Sequence, residues 1–144
     1  MLIDAGIGPR VAGKRLAALG ANLAEVSCIL LTHLDADHCR REWKAWVVRH
    51  GVRLFCHQER RHDLARGDAE LLTHIRTFHD RPFEPMPGIT VDPLRFSHDQ
   101  EGSHGFVIDV GASRLGYATD LGQVPRLLID RFCGLNILAI ESNY

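Results

Sequence analysis

The sequence predicts a layered α/β domain, and three observations lead there. Short apolar runs of strand length alternate with segments whose apolar residues recur at helical spacing. Runs such as Cys28–Leu31, and Asn136–Ile140 after its first residue, are apolar, as in strands covered on both faces. Strand after strand also ends in a polar, metal-competent residue: Asp4, His33, His98, Asp120 and Glu141. Ligands delivered from several strand ends to one edge are how a layered α/β scaffold assembles a site.

The 144 residues are of single-domain size, and 45% of them are hydrophobic, enough for a core. The net charge of −1 implies no global electrostatic partner, but its distribution is uneven. Arg40 to Arg66 holds eight Arg/Lys against three Asp/Glu, a net +5, which leaves −6 for the remainder. Such a segment favours an anionic substrate, or it is a solvated helix face.

In chain order, Met1-Leu2-Ile3-Asp4 reads as the end of a strand, with Asp4 a group that supports the ligands or a turn residue. Gly6 and Gly8 mark the turn that follows. Pro9 suits the first turn of a helix, with Val11, Leu16 and Leu19 as its apolar side and Gly20 as its stop. Asn22 is placed to cap a short connection. The Cys28–Leu31 strand then delivers Thr32-His33-Leu34-Asp35-Ala36-Asp37-His38, the stretch around which the chain is organised.

That loop carries two imidazoles and two carboxylates at His33, Asp35, Asp37 and His38. A divalent ion takes nitrogen and oxygen donors held in a tight, convergent set, which such a loop can supply. The plainer alternatives are Asp37 as a helix cap and His33 as a hydrogen-bonded loop residue. A helix is predicted from about Asp37 to His50, with Cys39, Trp43, Trp46, Val47 and His50 on one face. Val52–Cys56 follows as a strand, with His57 at its end as a further candidate or a capping residue.

Glu59 to Asp80 reads as one or two helices, with His62, His74 and His79 on the surface. Arg81 to Gly88 reads as a proline-rich loop. Ile89 to Ser97 is extended and delivers His98-Asp99; Gly102 to Gly105 reads as a turn. Phe106–Val110 and Arg114–Thr119 form a hairpin around Gly111-Ala112-Ser113 and deliver Asp120. Pro125 opens a helix to Phe132, Gly134 ends it, and Asn136–Ile140 delivers Glu141-Ser142-Asn143.

Cys28, Cys39, Cys56 and Cys133 form no Cys-x-x-Cys pair, and Cys28, Cys56 and Cys133, in or beside apolar runs, read as reduced residues of a cytoplasmic protein. Cys39, beside His38, is also conceivable as a thiolate ligand. No run is long and apolar enough to span a membrane.

The blocks Leu2-Ile3-Asp4-Ala5-Gly6, Thr32 to His38, His98-Asp99 and Thr119-Asp120-Leu121-Gly122 resemble the metallo-β-lactamase superfamily of hydrolases. Gly116-Tyr117-Ala118-Thr119-Asp120 and Glu141-Ser142-Asn143 look like its WalJ (YycJ-like) branch, linked to phosphodiester and exonuclease-type chemistry. The resemblance implies a single metallo-β-lactamase-like αββα sandwich of two mixed sheets with outer helices. It implies that the domain is incomplete, lacking the first strands and the C-terminal portion, and that unpaired edges invite homo-oligomers.

The resemblance also names ligands: His33 and His98 for a first metal, Asp37 and His38 for a second, Asp120 bridging, and Asp35 where the family has a second histidine. The cofactor implied is a divalent metal, two ions in a complete site, zinc by default, with manganese or iron favoured by the extra carboxylate at Asp35. The activity implied is metal-dependent hydrolysis by a metal-bound hydroxide, with Asp37 as catalytic residue. A phosphodiester, in a small molecule or a nucleic acid, is the first substrate class. A thioester, lactone or other small ester is the alternative, and a catalytically impaired remnant or binding module is the third.

Overall fold

The computed structural model describes residues 1–97, 102–122 and 124–141. His98, Asp99, Ser142 and Asn143 lie outside the described residues. The chain divides into two compact units, Met1–Phe78 and His79–Tyr144, each with its own sheet.

The first unit is a four-stranded sheet in the order β1 (Leu2–Ile3), β2 (Cys28–Leu30), β3 (Arg53–His57), β4 (Ile75–Phe78). Every pairing in it is parallel. The resemblance implies two mixed sheets; here mixing is confined to the second unit. Each consecutive pair in the first unit is joined by a crossover carrying helical turns, and such crossovers return the chain in the same direction.

Helix α1 (Pro9–Ala18) follows β1, with Pro at its start and Gly20 at φ 74° beyond its end. Its buried side is Ala12, with Leu16 one turn on and half-buried. Val11 and Leu19 are exposed, Leu19 at 81%, so the predicted apolar side is rotated from the packed one. Asn22 caps the turn after it, its Oδ1 accepting from Ala24 N–H at 2.9 Å.

Helix α2 (Glu42–His50) starts five residues later than predicted. Residues just before it are drawn into backbone pairing with Ala5: Ala5 N–H donates to His38 O at 2.6 Å and Arg40 N–H to Ala5 O at 3.1 Å. Asp37 therefore caps no helix. Trp43 and Val47 are buried, and Trp43 Nε1–H donates to Ile7 O at 2.6 Å. The core of this unit gathers Ile29, Leu31, Trp43, Val47, Leu54, Cys56, Leu71 and Ile75.

Two short helices, α3 (Arg61–Ala65) and α4 (Ala69–Leu72), occupy the stretch predicted as helical, but its end is strand β4. The sequence Ile75-Arg76-Thr77-Phe78 buries only its first and last residues, so its two polar residues hide the strand from a reading of apolar runs.

The second unit is a five-stranded sheet in the order β5 (Phe83–Met86), β6 (Ile89–Phe96), β7 (Ser103–Val110), β8 (Ser113–Ala118), β9 (Ile137–Ile140). The first three pairings are antiparallel and β8–β9 is parallel. Strand β5 replaces the predicted proline-rich loop; it lies at the sheet edge, where Pro85 removes no obligatory ladder donor. Strand β7 begins at Ser103, inside the predicted turn, because Ser103 and His104 pair with Phe96 and Arg95 and are buried. Helix α5 (Arg126–Arg131) joins β8 to β9, and Leu128 packs with Leu94, Phe96, Val107, Ala118 and Leu121.

Candidate metal centre

Asp4 directly follows strand β1, Thr32 comes two residues after the end of β2, and the loop to His38 follows. Asp4 N–H donates to Leu30 O at 2.8 Å, which fixes Asp4 beside the end of β2. Its backbone is left-handed, with φ 60°. An aspartate tolerates that conformation better than most residues, although it still carries strain.

The Asp4 carboxylate gathers three donors. Thr32 N–H reaches Oδ1 at 2.8 Å, Thr32 Oγ1–H lies 3.0 Å from both oxygens, and His38 Nδ1–H reaches Oδ2 at 2.9 Å. His33 Nδ1 lies 2.9 Å from Thr32 Oγ1. Since the hydroxyl hydrogen goes to Asp4, Thr32 can only accept from His33 Nδ1–H. One buried carboxylate therefore sets the tautomer of both histidines, directly at His38 and through Thr32 at His33.

Protonation at Nδ1 leaves a lone pair on each Nε2, the arrangement of a metal-binding imidazole whose other nitrogen is held by a carboxylate. Those Nε2 atoms face the loop carboxylates: His33 Nε2 is 3.5 Å from Asp35 Oδ2, and His38 Nε2 is 3.9 Å from Asp37 Oδ2. The two rings lie 4.1 Å apart between centroids, tilted by 39°. His33 is buried and His38 half-buried while the Asp37 side chain is 80% exposed, so the donors open outward. Each imidazole thus has one loop carboxylate within 4 Å, and nitrogen and oxygen donors of this kind suit a divalent transition metal, although neither aspartate converges with both imidazoles on one point.

Gly6 holds the loop from behind. A Cβ there would lie 1.6 Å from Asp37 O, so only glycine permits this approach. Burial pushes the Cys39 thiol up to about 11, unlike the acidified thiol a ready thiolate ligand needs.

Of the predicted site residues, the first unit brings together His33, Asp35, Asp37 and His38. Asp120 is in the second unit, just past β8, with φ 53°, the other left-handed non-glycine among the described residues. Its N–H donates to Glu141 Oε2 at 2.6 Å and its carbonyl accepts from Ser103 Oγ–H at 3.1 Å. Glu141, read as metal-competent, thus anchors the backbone of Asp120. His57 is buried at the end of β3, its ring edge-on to Phe78 at 5.7 Å and its Nδ1 3.6 Å from Glu59; it precedes the turn Gln58–Arg60 but its side chain makes no capping hydrogen bond. Thr32 was missed as a functional residue; its signal is a hydroxyl placed directly before His33 at a strand end.

Two sheets with helices, and a histidine–carboxylate loop opening from the end of a buried parallel strand, define the α/β metallo-β-lactamase fold. This chain belongs to the family described as "Beta-lactamase superfamily domain", whose model matches residues 1–144. Among solved structures it is similar to Zn²⁺-bound PqqB from Methylobacterium extorquens, at TM-score 0.71 and 18% identity over 97% of this chain and 55% of that one. It is similar to the metallo-β-lactamase fold protein YhfI from Bacillus subtilis, at TM-score 0.69 and 17% identity over 99% and 59%. A diphosphatase of the PhnP family aligns at TM-score 0.66 and 19% identity over 94% and 53%. The chain thus spans somewhat more than half the length of each. No curated protein matches. No helix among the described residues is long and apolar enough to cross a membrane.

Proposed function

We propose that this chain is a metal-dependent hydrolase acting on a phosphodiester, within the WalJ-like branch of its family. The observation that carries the reading is the shared carboxylate of Asp4, which turns Nε2 of both His33 and His38 toward Asp35 and Asp37. His33, His38 and the two loop aspartates would hold one or two divalent ions, zinc or, given the extra carboxylate at Asp35, manganese or iron. His98 and Asp120 complete the proposed ligand set on the strength of the family resemblance. A bound divalent ion supplies Lewis acidity toward the substrate's phosphoryl oxygen and lowers the pKa of water.

The chain's own residues do the rest. Asp37, exposed at the mouth of the loop, accepts the proton of the attacking water. Asp4 and Thr32 keep His33 and His38 from turning. The basic stretch Arg40–Arg66 favours an anionic substrate, and the PhnP-family diphosphatase supports phosphorus chemistry on this fold.

The test is turnover of bis-p-nitrophenyl phosphate after loading with zinc or manganese, beside a thioester and a lactone. Metal-dependent phosphodiester turnover that falls at least a hundredfold in His33→Ala and Asp37→Ala supports the proposal. Preferential turnover of the thioester or lactone moves the assignment to an esterase of the same fold. Less than one equivalent of tightly held metal, with no turnover, favours an impaired binding module.

A further inference from the structure

We propose that a groove beside helices α1 and α2, outside the histidine loop, binds a nucleoside diphosphate. The groove encloses about 440 Å³ and lies wholly within the first unit. That volume is within the range of small-molecule sites. Its lining includes Gly8, Arg10, Arg40, Glu42, Trp46 and Arg49.

Three guanidiniums line the groove against one carboxylate, and that carboxylate is taken: Arg40 Nε lies 3.6 Å from Glu42 Oε2. Arg10 and Arg49 have no carboxylate within ion-pair distance among the described residues. Several other cations of the same unit are engaged elsewhere, although, among the described residues, Lys14, Arg15, Arg41 and Arg61 have no such partner. Lys44 donates to Leu64 O at 2.7 Å, Arg60 and Arg66 pair with Asp63, and Arg53 sits 5.9 Å over the Phe55 ring. Two unneutralised guanidiniums facing one concavity match the forked geometry of phosphate oxygens.

Trp46 supplies the second recognition element. It is half-buried, its ring held edge-on by Trp43 at 5.1 Å and stacked on His50 at 4.6 Å. A fixed indole in a basic groove is a surface on which a base can stack. The first turn of α1 adds to the positive end: its cap is Gly8, which has no side chain to satisfy the free amides, and the turn has no acidic residue. The ligand that fits both elements has an anionic diphosphate for Arg10 and Arg49 and an aromatic base for Trp46. The assignment stands independently of the hydrolase reading.

The experiment is a titration of the chelator-treated full chain with adenosine diphosphate, followed by tryptophan fluorescence and calorimetry. Saturable binding with quenching is expected. The Arg10→Gln/Arg49→Gln variant should bind at least tenfold more weakly; both residues are exposed, and an unchanged melting temperature verifies the fold. A charge-matched control, Lys14→Gln/Arg81→Gln, should bind as the parent does. Pyrophosphate should bind more weakly than the nucleoside diphosphate, and adenosine more weakly still. The proposal is overturned if no binding occurs at millimolar ligand, if the control weakens as much as the groove variant, or if pyrophosphate binds equally well. The groove variant should hold as much metal as the parent, and phosphodiester turnover is read on the parent chain alone, so a failed hydrolase assay and a failed binding assay remain separate results.

Discussion

Asp4 Oδ2 and His38 Nδ1 lie 2.9 Å apart, although 34 residues separate them along the chain. That contact places the proton on Nδ1 and the lone pair on Nε2. Longer-range nitrogen–proton NMR of the metal-free protein at pH 8 should show both His33 and His38 protonated at Nδ1. Asp4→Asn keeps a residue tolerant of φ 60° but removes the charge; it should scramble the His38 tautomer. Metal affinity should fall by about 10- to 100-fold, read by competition with a chromogenic chelator.

Thr32 links His33 to the same carboxylate, and only its hydroxyl can do so. Thr32→Val keeps shape but loses the acceptor for His33 Nδ1–H. The metal-free spectrum should then show His33 losing its single tautomer while His38 keeps its own. Thr32→Ser should restore the parent spectrum.

Gly6 is the tightest backbone approach to the loop. In Gly6→Ala the new methyl would overlap Asp37 O, so the loop must shift. A loss of stability on the order of 3 kcal/mol is expected in urea unfolding. The same change at Gly8, where a Cβ meets nothing within 4 Å, should cost far less.

Burial pushes the Cys56 thiol up to about 12 and the Cys39 thiol up to about 11, from 9.0. The folded values lie above the unfolded ones, so the stability they contribute is whole below pH 9. It is lost as pH rises from there through 11 and 12. Guanidinium midpoints between pH 7 and 10.5 should fall at the alkaline end, and the fall should be shallower in Cys56→Val. At pH 7.5, alkylation of the native protein should label Cys133, which is exposed, well before Cys28 and Cys56.

The parts of this molecule that were legible in the sequence are local. Cys28–Leu31 announces a buried strand because every residue is apolar, and the loop after it declares metal chemistry because four donors lie within six positions. The hairpin around Gly111 is fixed by its turn residues. What stayed hidden depends on partners distant in sequence. Strand β4 is held by parallel pairing with β3, which no property of Ile75-Arg76-Thr77-Phe78 reveals. Ser103 and His104 look like turn residues, yet β6 claims them across the sheet. The delayed start of α2 follows from Ala5 capturing the backbone around Cys39. Asp4 was legible as a strand-end aspartate with a supporting role, but its grip on two imidazoles needed the register of β1 against β2.

The clasp between Ala5 and the backbone of His38 and Arg40 closes the histidine loop before any ion arrives. An arriving cation meets donors already in station, so its capture demands little ordering of the chain. Loading should leave the far-ultraviolet circular dichroism almost untouched. The amide hydrogens of Ala5 and Arg40 should exchange slowly with deuterated solvent even in the stripped protein.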